Sequence, residues 1–108
     1  MTDPVNVILG WIFSRRRHEM LISQAVLSES LGVEQSVLSR YESGVIPIQA
    51  STLVRLESLL EFLPGESLRL LAEYQVKIDK SAMEGRSAKE IQAYLIWTFG
   101  TKDKRRAG

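Results

Sequence analysis

Residues 23–44 have the sequence SQAVLSESLGVEQSVLSRYESG, and this stretch decides the fold. Ser23 suits the N-cap of a helix over residues 24–31, in which two leucines share one face. Gly32 follows at the position where helices often end in a left-handed residue, and a second short helix ends in the same way at Gly44. The stretch therefore predicts two short helices joined by a tight turn, which is a helix-turn-helix motif.

The second helix of this pair, at about residues 35–42, has an apolar face and a polar face. Its inner face consists of Val37, Leu38 and Tyr41, and the polar residues off that face are Gln35, Ser36, Ser39 and Arg40. Such a polar face is often only solvated. In the major groove, however, Gln can bond adenine, Arg can bond guanine, and Ser can serve as donor or acceptor. The polar face of this helix thus has two interpretations: it is only solvated, or it contacts base edges in the major groove.

The remaining sequence predicts further helices and no convincing strand. The first helix covers about residues 4–18, after Asp3 as N-cap, and its last turn is basic at residues 15–18. A Leu-rich helix begins near Ser51, with Leu53, Leu56, Leu59, Leu60 and Leu63 expected inside. A fifth helix is marked by Leu68, Leu71, Ala72 and Val76, and a sixth is capped by Ser87, with a stripe of Ile91, Tyr94, Leu95 and Thr98.

These elements predict an all-α, single-domain protein. We expect a compact bundle of about five helices that contains the helix-turn-helix, plus a C-terminal extra helix. Residues 1–65 form the helix-turn-helix core, and residues 66–100 form a C-terminal helical extension of the same domain. Within the extension, KSAMEGRS at residues 80–87 is expected to be a polar linker, and residues 101–108 a basic disordered tail.

Composition excludes several classes of protein. The 108 residues contain no Cys, so a disulfide framework and a Cys-based zinc site are both excluded. No secretory signal and no apolar run of about 18 residues occurs, which favours a cytoplasmic location. No catalytic or metal-ligand pattern occurs and His18 is isolated, so we expect no enzyme, cofactor or metal. The net charge of +1 gives no support of its own to nucleic-acid binding.

Residues 10–60 resemble the lambda-repressor-like (Cro/CI, Xre-type) family of DNA-binding domains. The resemblance is carried by Ser23-Gln24, by Leu27, by Leu31-Gly32-Val33, by LSRYESG at residues 38–44, and by a Pro47 loop before a Leu-rich helix. Three departures are visible. Glu34 replaces the Ser or Thr usual at the N-cap of the recognition helix, Leu21 stands where the family often has Gly, and Val45-Ile46 replace polar or basic residues.

The resemblance implies double-stranded DNA as the partner. The residues it assigns to DNA are Gln24, Gln35, Ser36, Ser39, Arg40, Ser43, Arg17 and Ser23. By the family pattern, Gln35 and Ser36 lie nearest the bases, Gln24 bonds a phosphate and steadies the first recognition residue, and Arg17 is the best phosphate candidate of the Arg15–Arg17 run.

The function expected from this resemblance is sequence-specific transcriptional regulation. Repression is the default for such a small protein, with a homodimer on an inverted repeat. One alternative is the antitoxin of a toxin–antitoxin pair, in which residues 65–108 bind a protein partner. Another is a protein-interaction module that has kept the fold and lost DNA binding.

The first helix has a second apolar face, which a surface helix normally lacks. Besides its main stripe, it has Val7 and Trp11 on roughly the opposite face, and an exposed pair of this kind needs a cover. The last helix, with Ile96, Trp97 and Phe99, offers one. Either this helix packs on the first helix of its own subunit, or helix 5 or 6 forms a dimer seam with its mate. The second alternative is favoured, because the recognition helices of a dimer must lie about 34 Å apart.

Overall fold

The computed structural model describes residues 3–100, which form seven α-helices and no strand. The helices are α1 Pro4–Glu19, α2 Gln24–Leu31, α3 Gln35–Ser43, α4 Ala50–Leu59, α5 Glu66–Lys77, α6 Lys80–Met83 and α7 Ala88–Phe99. The predicted all-α bundle with a helix-turn-helix is confirmed.

Helix α1 is the central element, and its neighbours α3, α5 and α7 pack on different sides of it. Asp3 caps it by accepting a hydrogen bond from the Val5 amide at 3.0 Å, as the sequence predicted. Every residue from Val7 to Phe13 is buried. This agrees with the sequence, which places Val7 and Trp11 on a second apolar face, and it means that α1 crosses the interior instead of lying on the surface.

The cover over Val7 and Trp11 comes from the same chain. The indole of Trp11 packs against the rings of Tyr74 and Phe99, with centroid distances of 5.0 and 5.6 Å. Tyr74 belongs to α5 and Phe99 to α7. Packing of the last helix on α1 of its own subunit is thus confirmed for this part of the surface.

Helix α7 turns two buried residues inward, Ile91 and Leu95, as the sequence predicted. Its start is fixed by a complete capping box between Ser87 and Glu90. Thr98, expected on the same stripe, is exposed instead. The residue just before it faces solvent almost completely, since Trp97 is 90% exposed.

The predicted inner face of the α4–α5 region was partly wrong. Leu53, Leu56, Leu60 and Leu71 are buried as predicted, but Leu63, Leu68, Ala72 and Val76 are exposed. Phe62 and Tyr74, which were not predicted to be inside, also enter the core. The helical phase breaks because α4 ends at Leu59, before the chain turns through a left-handed residue at Glu61, where φ is 58°. The helical periodicity that would have buried Leu63 stops there.

The predicted linker at residues 80–87 contains the short helix α6, which buries Met83 and is capped by Asp79. Asp79 accepts hydrogen bonds from the amide and the hydroxyl of Ser81, and these bonds lower the pKa of its carboxyl. The predicted disordered tail, residues 101–108, lies outside the described residues.

Two glycines allow α1 and α3 to approach closely. A Cβ on Gly10 would collide with the carbonyl of Tyr41 and would lie 2.8 Å from the carbonyl oxygen of Glu42. A Cβ on Gly44, whose φ is 78°, would collide with the backbone of Val7. Backbone therefore meets backbone where α3 lies on the central helix, which fixes the position of α3.

Candidate nucleic-acid interface

The turn between α2 and α3 has the geometry that the sequence predicted. Ser23 accepts a hydrogen bond from the Val26 amide at 3.1 Å and so caps α2. Gly32 ends α2 with φ 80° and ψ 30°, and the next amide, that of Val33, donates to the carbonyl of Ser28 at 3.0 Å. The amide of Gly32 donates to the carbonyl of Glu29 at 3.1 Å, and these two C-terminal bonds make a compact turn, so that α3 starts only three residues after Gly32.

Helix α3 presents a polar face to solvent. Four of the predicted contact residues lie there and are exposed: Gln35, Ser36, Ser39 and Arg40. The opposite side of the helix is held in the protein by Leu38 and Glu42, which are buried. Since residues three and four apart share a face, the four polar side chains form one continuous patch, called the α3 outer face below.

Two other predicted residues have structural partners. Ser23 is exposed, but its hydroxyl oxygen is engaged as the α2 cap. Ser43 is half-buried at the other end of α3, and its hydroxyl donates to the carbonyl of Arg40 at 3.3 Å. The hydroxyl groups of both residues are therefore engaged in hydrogen bonds within the fold. Glu34 lies at the N-cap of α3, as expected, and makes no side-chain capping bond.

Arg17 does not lie on this surface. Its guanidinium is buried and donates from Nε and Nη2 to the two carboxylate oxygens of Glu42, at 2.7 and 2.9 Å. A third donor, Nη1, reaches the carbonyl of Ile22 at 2.9 Å. The predicted phosphate contact through Arg17 does not fit this placement, because the donors that would meet a phosphate are turned into the protein.

The two preceding arginines are also directed into the fold. Arg15 is buried, lies 4.4 Å from the centroid of the Trp11 ring and donates to the hydroxyl of Tyr74. Arg16 donates to the carbonyl of Leu60 at 2.8 Å and forms an ion pair with Glu19. The basic run of α1 thus joins this helix to its neighbours. The sequence analysis had considered only two roles for this run, which were to complement the helix dipole and to contact phosphate.

Gln24 takes part in the same network. Its side-chain amide donates to Oε1 of Glu42 at 2.9 Å, and the residue is half-buried. One carboxylate therefore joins α1, the start of α2 and the end of α3. The predicted steadying role of Gln24 has a structural counterpart in this bond, although its partner is Glu42 and not a residue at the start of α3.

Sequence reasoning missed the role of Glu42, although a signal was present. An acidic side chain four residues after Leu38 lies on the buried side of α3, where a charge needs a partner. The arginine run of α1 was the obvious source of that partner. Arg55 was also missed. It is exposed on α4, and its guanidinium lies 3.9 Å from the position of a Cβ on Gly32, beside the helix-turn-helix turn.

Other kinds of site are not apparent in the described part of the chain. His18 contacts Ser14 of its own helix, with Nδ1 at 2.7 Å from the carbonyl oxygen. Residues 3–100 contain no cluster of three or more His, Cys, Asp or Glu side chains that would suit a metal. None of the described helices has the length and apolar character needed to cross a membrane.

The family comparison agrees with this geometry. Residues 12–74, more than half of the chain, match the family model described as helix-turn-helix. The chain belongs to this helix-turn-helix family, of the Cro/CI, Xre-like type, whose members are DNA-binding regulators. Neither the curated proteins nor the solved structures include a significant match to the chain.

Proposed function

We propose that this protein is a sequence-specific transcriptional repressor that binds duplex DNA in the major groove through α3, as a homodimer on an inverted repeat. The observation that carries this proposal is the α3 outer face, where Gln35, Ser36, Ser39 and Arg40 are all exposed on one side of a helix anchored from behind. Such a helix-turn-helix regulator acts by binding and not by catalysis, and we expect it to work in the cytoplasm.

The chemistry of the α3 outer face suits base edges. Gln35 and Ser36 lie at the N-terminus of α3, the part of a recognition helix that enters the groove most deeply. Gln35 can form two bonds with adenine, and Arg40, one turn further on, can do the same with guanine. Arg55 beside the turn adds a cation within reach of the phosphate backbone.

The buried network behind α3 favours recognition by a rigid helix. Because Glu42 is fixed by Arg17 and Gln24, the end of α3 has little freedom to rotate. Direct base recognition requires side chains placed to within a fraction of an ångström, so an anchored helix suits it better than a mobile one.

A dimer agrees with the size of the molecule. Its principal extents are 36 × 34 × 21 Å, so two copies in contact along either long dimension have their centres about one DNA turn apart, ~34 Å. One α3 has nine residues and covers only a few base pairs, which is too short a sequence to define a site alone.

The experiment is a selection of bound sequences from random duplex DNA, followed by affinity measurements on the selected site. Gln35→Ala and Arg40→Ala should each lose about 1–3 kcal/mol on that site and relax base preference at one position per half-site. Affinity for random DNA should change little. Gln75→Ala and Arg69→Ala are matched controls, because they remove the same side chains from exposed positions of α5.

Failure to enrich any sequence would refute sequence-specific binding. Equal losses on selected and random DNA would mean that Gln35 and Arg40 contact phosphate and not bases. A protein-interaction module is the second candidate, and the exposed Glu34 at the N-cap of α3 favours it, because a carboxylate there repels phosphate. This candidate predicts that a bound protein, not DNA, protects the α3 outer face. The antitoxin alternative is different, because it keeps DNA binding and predicts a protein partner bound to residues 65–108.

A further inference from the structure

Helix α7 has an outer face that is exposed to solvent. Opposite its two buried residues, Ile91 and Leu95, lie five exposed ones: Lys89, Glu90, Ala93, Ile96 and Trp97. Trp97 is 90% exposed and its neighbour Ile96 is 40% exposed. A nearly bare indole beside an isoleucine on a well-capped helix is a patch that favours a protein partner.

The order of residues on this α7 outer face is self-complementary. Ala93 lies at its centre, Lys89 comes four residues earlier, and Trp97 comes four residues later. If two such helices pair antiparallel about Ala93, each Lys89 faces the indole of the other Trp97, which is a favourable cation–π arrangement. The small Ala93 side chains meet at the centre, where they permit a close approach. A parallel pairing would instead place Lys89 against Lys89.

We propose that the α7 outer face is a dimer interface at which a second copy of this chain pairs antiparallel about Ala93. This inference rests on the proposed function and names the surface that joins the two halves of the dimer. Because α7 packs on both α1 and α3, a partner held on α7 is connected directly to the recognition helix. The pairing therefore sets the relative orientation of the two α3 outer faces.

The size of the interface predicts a weak dimer in the absence of DNA. One face of a helix of 12 residues buries far less than the ~800 Å² per partner of a standard stable interface. Two copies therefore associate mainly when DNA holds them side by side. The expected signature is cooperative binding to two half-sites, with monomers predominating in dilute free protein.

Disulfide trapping tests the geometry, because the sequence contains no Cys of its own. Ala93→Cys, oxidised at high protein concentration, should form a covalent dimer, since the two Cα atoms fall within the ~4.4–6.8 Å that a disulfide needs. Ala72→Cys, an exposed alanine on α5, is the matched control and should stay monomeric. Lys89→Cys should also fail, because two copies of residue 89 lie about 12 Å apart along an antiparallel pair.

Equal trapping at residues 72 and 93 would overturn the interface, and efficient trapping at residue 89 would overturn the antiparallel arrangement. These results need no DNA, so they stand even if the proposed function fails.

Sedimentation equilibrium and DNA titration test the energetics. Trp97→Ala should weaken self-association about 30-fold, as expected for the largest side chain of the interface, and should abolish cooperativity on paired half-sites. Binding to a single half-site should be unchanged, because the Trp97 side chain is 90% exposed and does not support the packing of α3. The variant should fold normally, which near-UV circular dichroism of the buried Trp11 verifies. Unchanged self-association and cooperativity would refute the proposal, and so would loss of binding to a single half-site.

Discussion

Substituting Glu42 by Gln tests the buried network that holds α3. In the native protein, the carboxylate of Glu42 accepts two hydrogen bonds from Arg17 and one from Gln24. Glutamine has nearly the same shape, but it removes the negative charge and replaces one acceptor oxygen by an NH₂ donor. Because the Arg17 side chain is only 9% exposed, its charge would remain in the interior without compensation.

The expected loss is large for a domain of this size. Breaking a buried ion pair by removing one partner typically costs about 3–5 kcal/mol. A domain of about 100 residues has a total stability of about 5–15 kcal/mol, so the variant should lose a large share of it. With an unfolding entropy of about 0.2 kcal/mol/K for that length, the midpoint temperature should fall by about 15–25 °C.

Urea unfolding at 25 °C, followed by far-UV circular dichroism, measures this loss. Glu34→Gln is the matched control, since it makes the same chemical change at an exposed residue of the same helix and should shift stability by less than about 0.5 kcal/mol. Replacing both partners, with Arg17→Met and Glu42→Leu, should recover most of the stability, because no buried charge is then left alone.

A loss below about 1 kcal/mol for Glu42→Gln would refute the reasoning, because that value is typical of an exposed pair. The double substitution provides a second check. If it is no more stable than Glu42→Gln, the cost arises from lost packing and not from an unpaired charge.

Three further substitutions test other features of the fold, each by urea unfolding. Gly10→Ala should lose about 3 kcal/mol, because the new methyl group meets the carbonyl of Tyr41, and a change smaller than 1 kcal/mol would show that α1 and α3 can separate at little cost. Leu21→Gly should gain about 0.5–1 kcal/mol, since φ is 58° and the side chain is 86% exposed, and a loss of stability would mean that Leu21 has a packing role. For Glu57, burial alone would raise the pKa, but hydrogen bonds from the hydroxyl and amide of Ser67 and from the amide of Gly65 outweigh it and lower the pKa below its ordinary 4.5. The stability contributed by this carboxylate is therefore complete above pH 4.5 and is lost as pH falls through the lowered pKa. The difference in the free energy of unfolding between wild type and Glu57→Gln should narrow only in that acidic range. A difference that stays constant with pH would contradict this reasoning.

The local signals in the sequence were sufficient for the helix-turn-helix. Ser23 as cap and Gly32 as left-handed terminus act within one or two turns of the chain, so their effect does not depend on distant residues. Leu21 was noted where the family often has Gly, and the structure gives the reason, because that residue has a positive φ. The exposed residues of the α3 outer face followed from helical periodicity alone.

Features that depend on tertiary packing were harder to predict. The sequence predicted a second apolar face on α1 but left open whether the same chain or a second copy covers it. The cover comes from Tyr74 and Phe99, which lie more than 60 residues away in sequence. A guanidinium at a helix end can bind an external phosphate or an internal carboxylate equally well, so the sequence could not decide the partner of Arg17. Only the fold brings Glu42 next to it. Phe62 replaced Leu63 in the core because a left-handed Glu61 shifted the phase, and sequence periodicity does not record such a shift.

The central position of α1 has a consequence for how the protein is made. Trp11 leaves the ribosome well before Phe99, and with roughly 90 residues between them, at about 5–20 residues per second, the delay is on the order of 4–18 s. During that interval α1 is without the last helix that covers it, and part of its apolar surface is open to chaperones or to other nascent chains. The recognition helix, which is complete by Ser43, rests on α1, and the packing around α1 is complete only after α7 has emerged. Full DNA affinity should therefore be acquired only once α7 is available to pack.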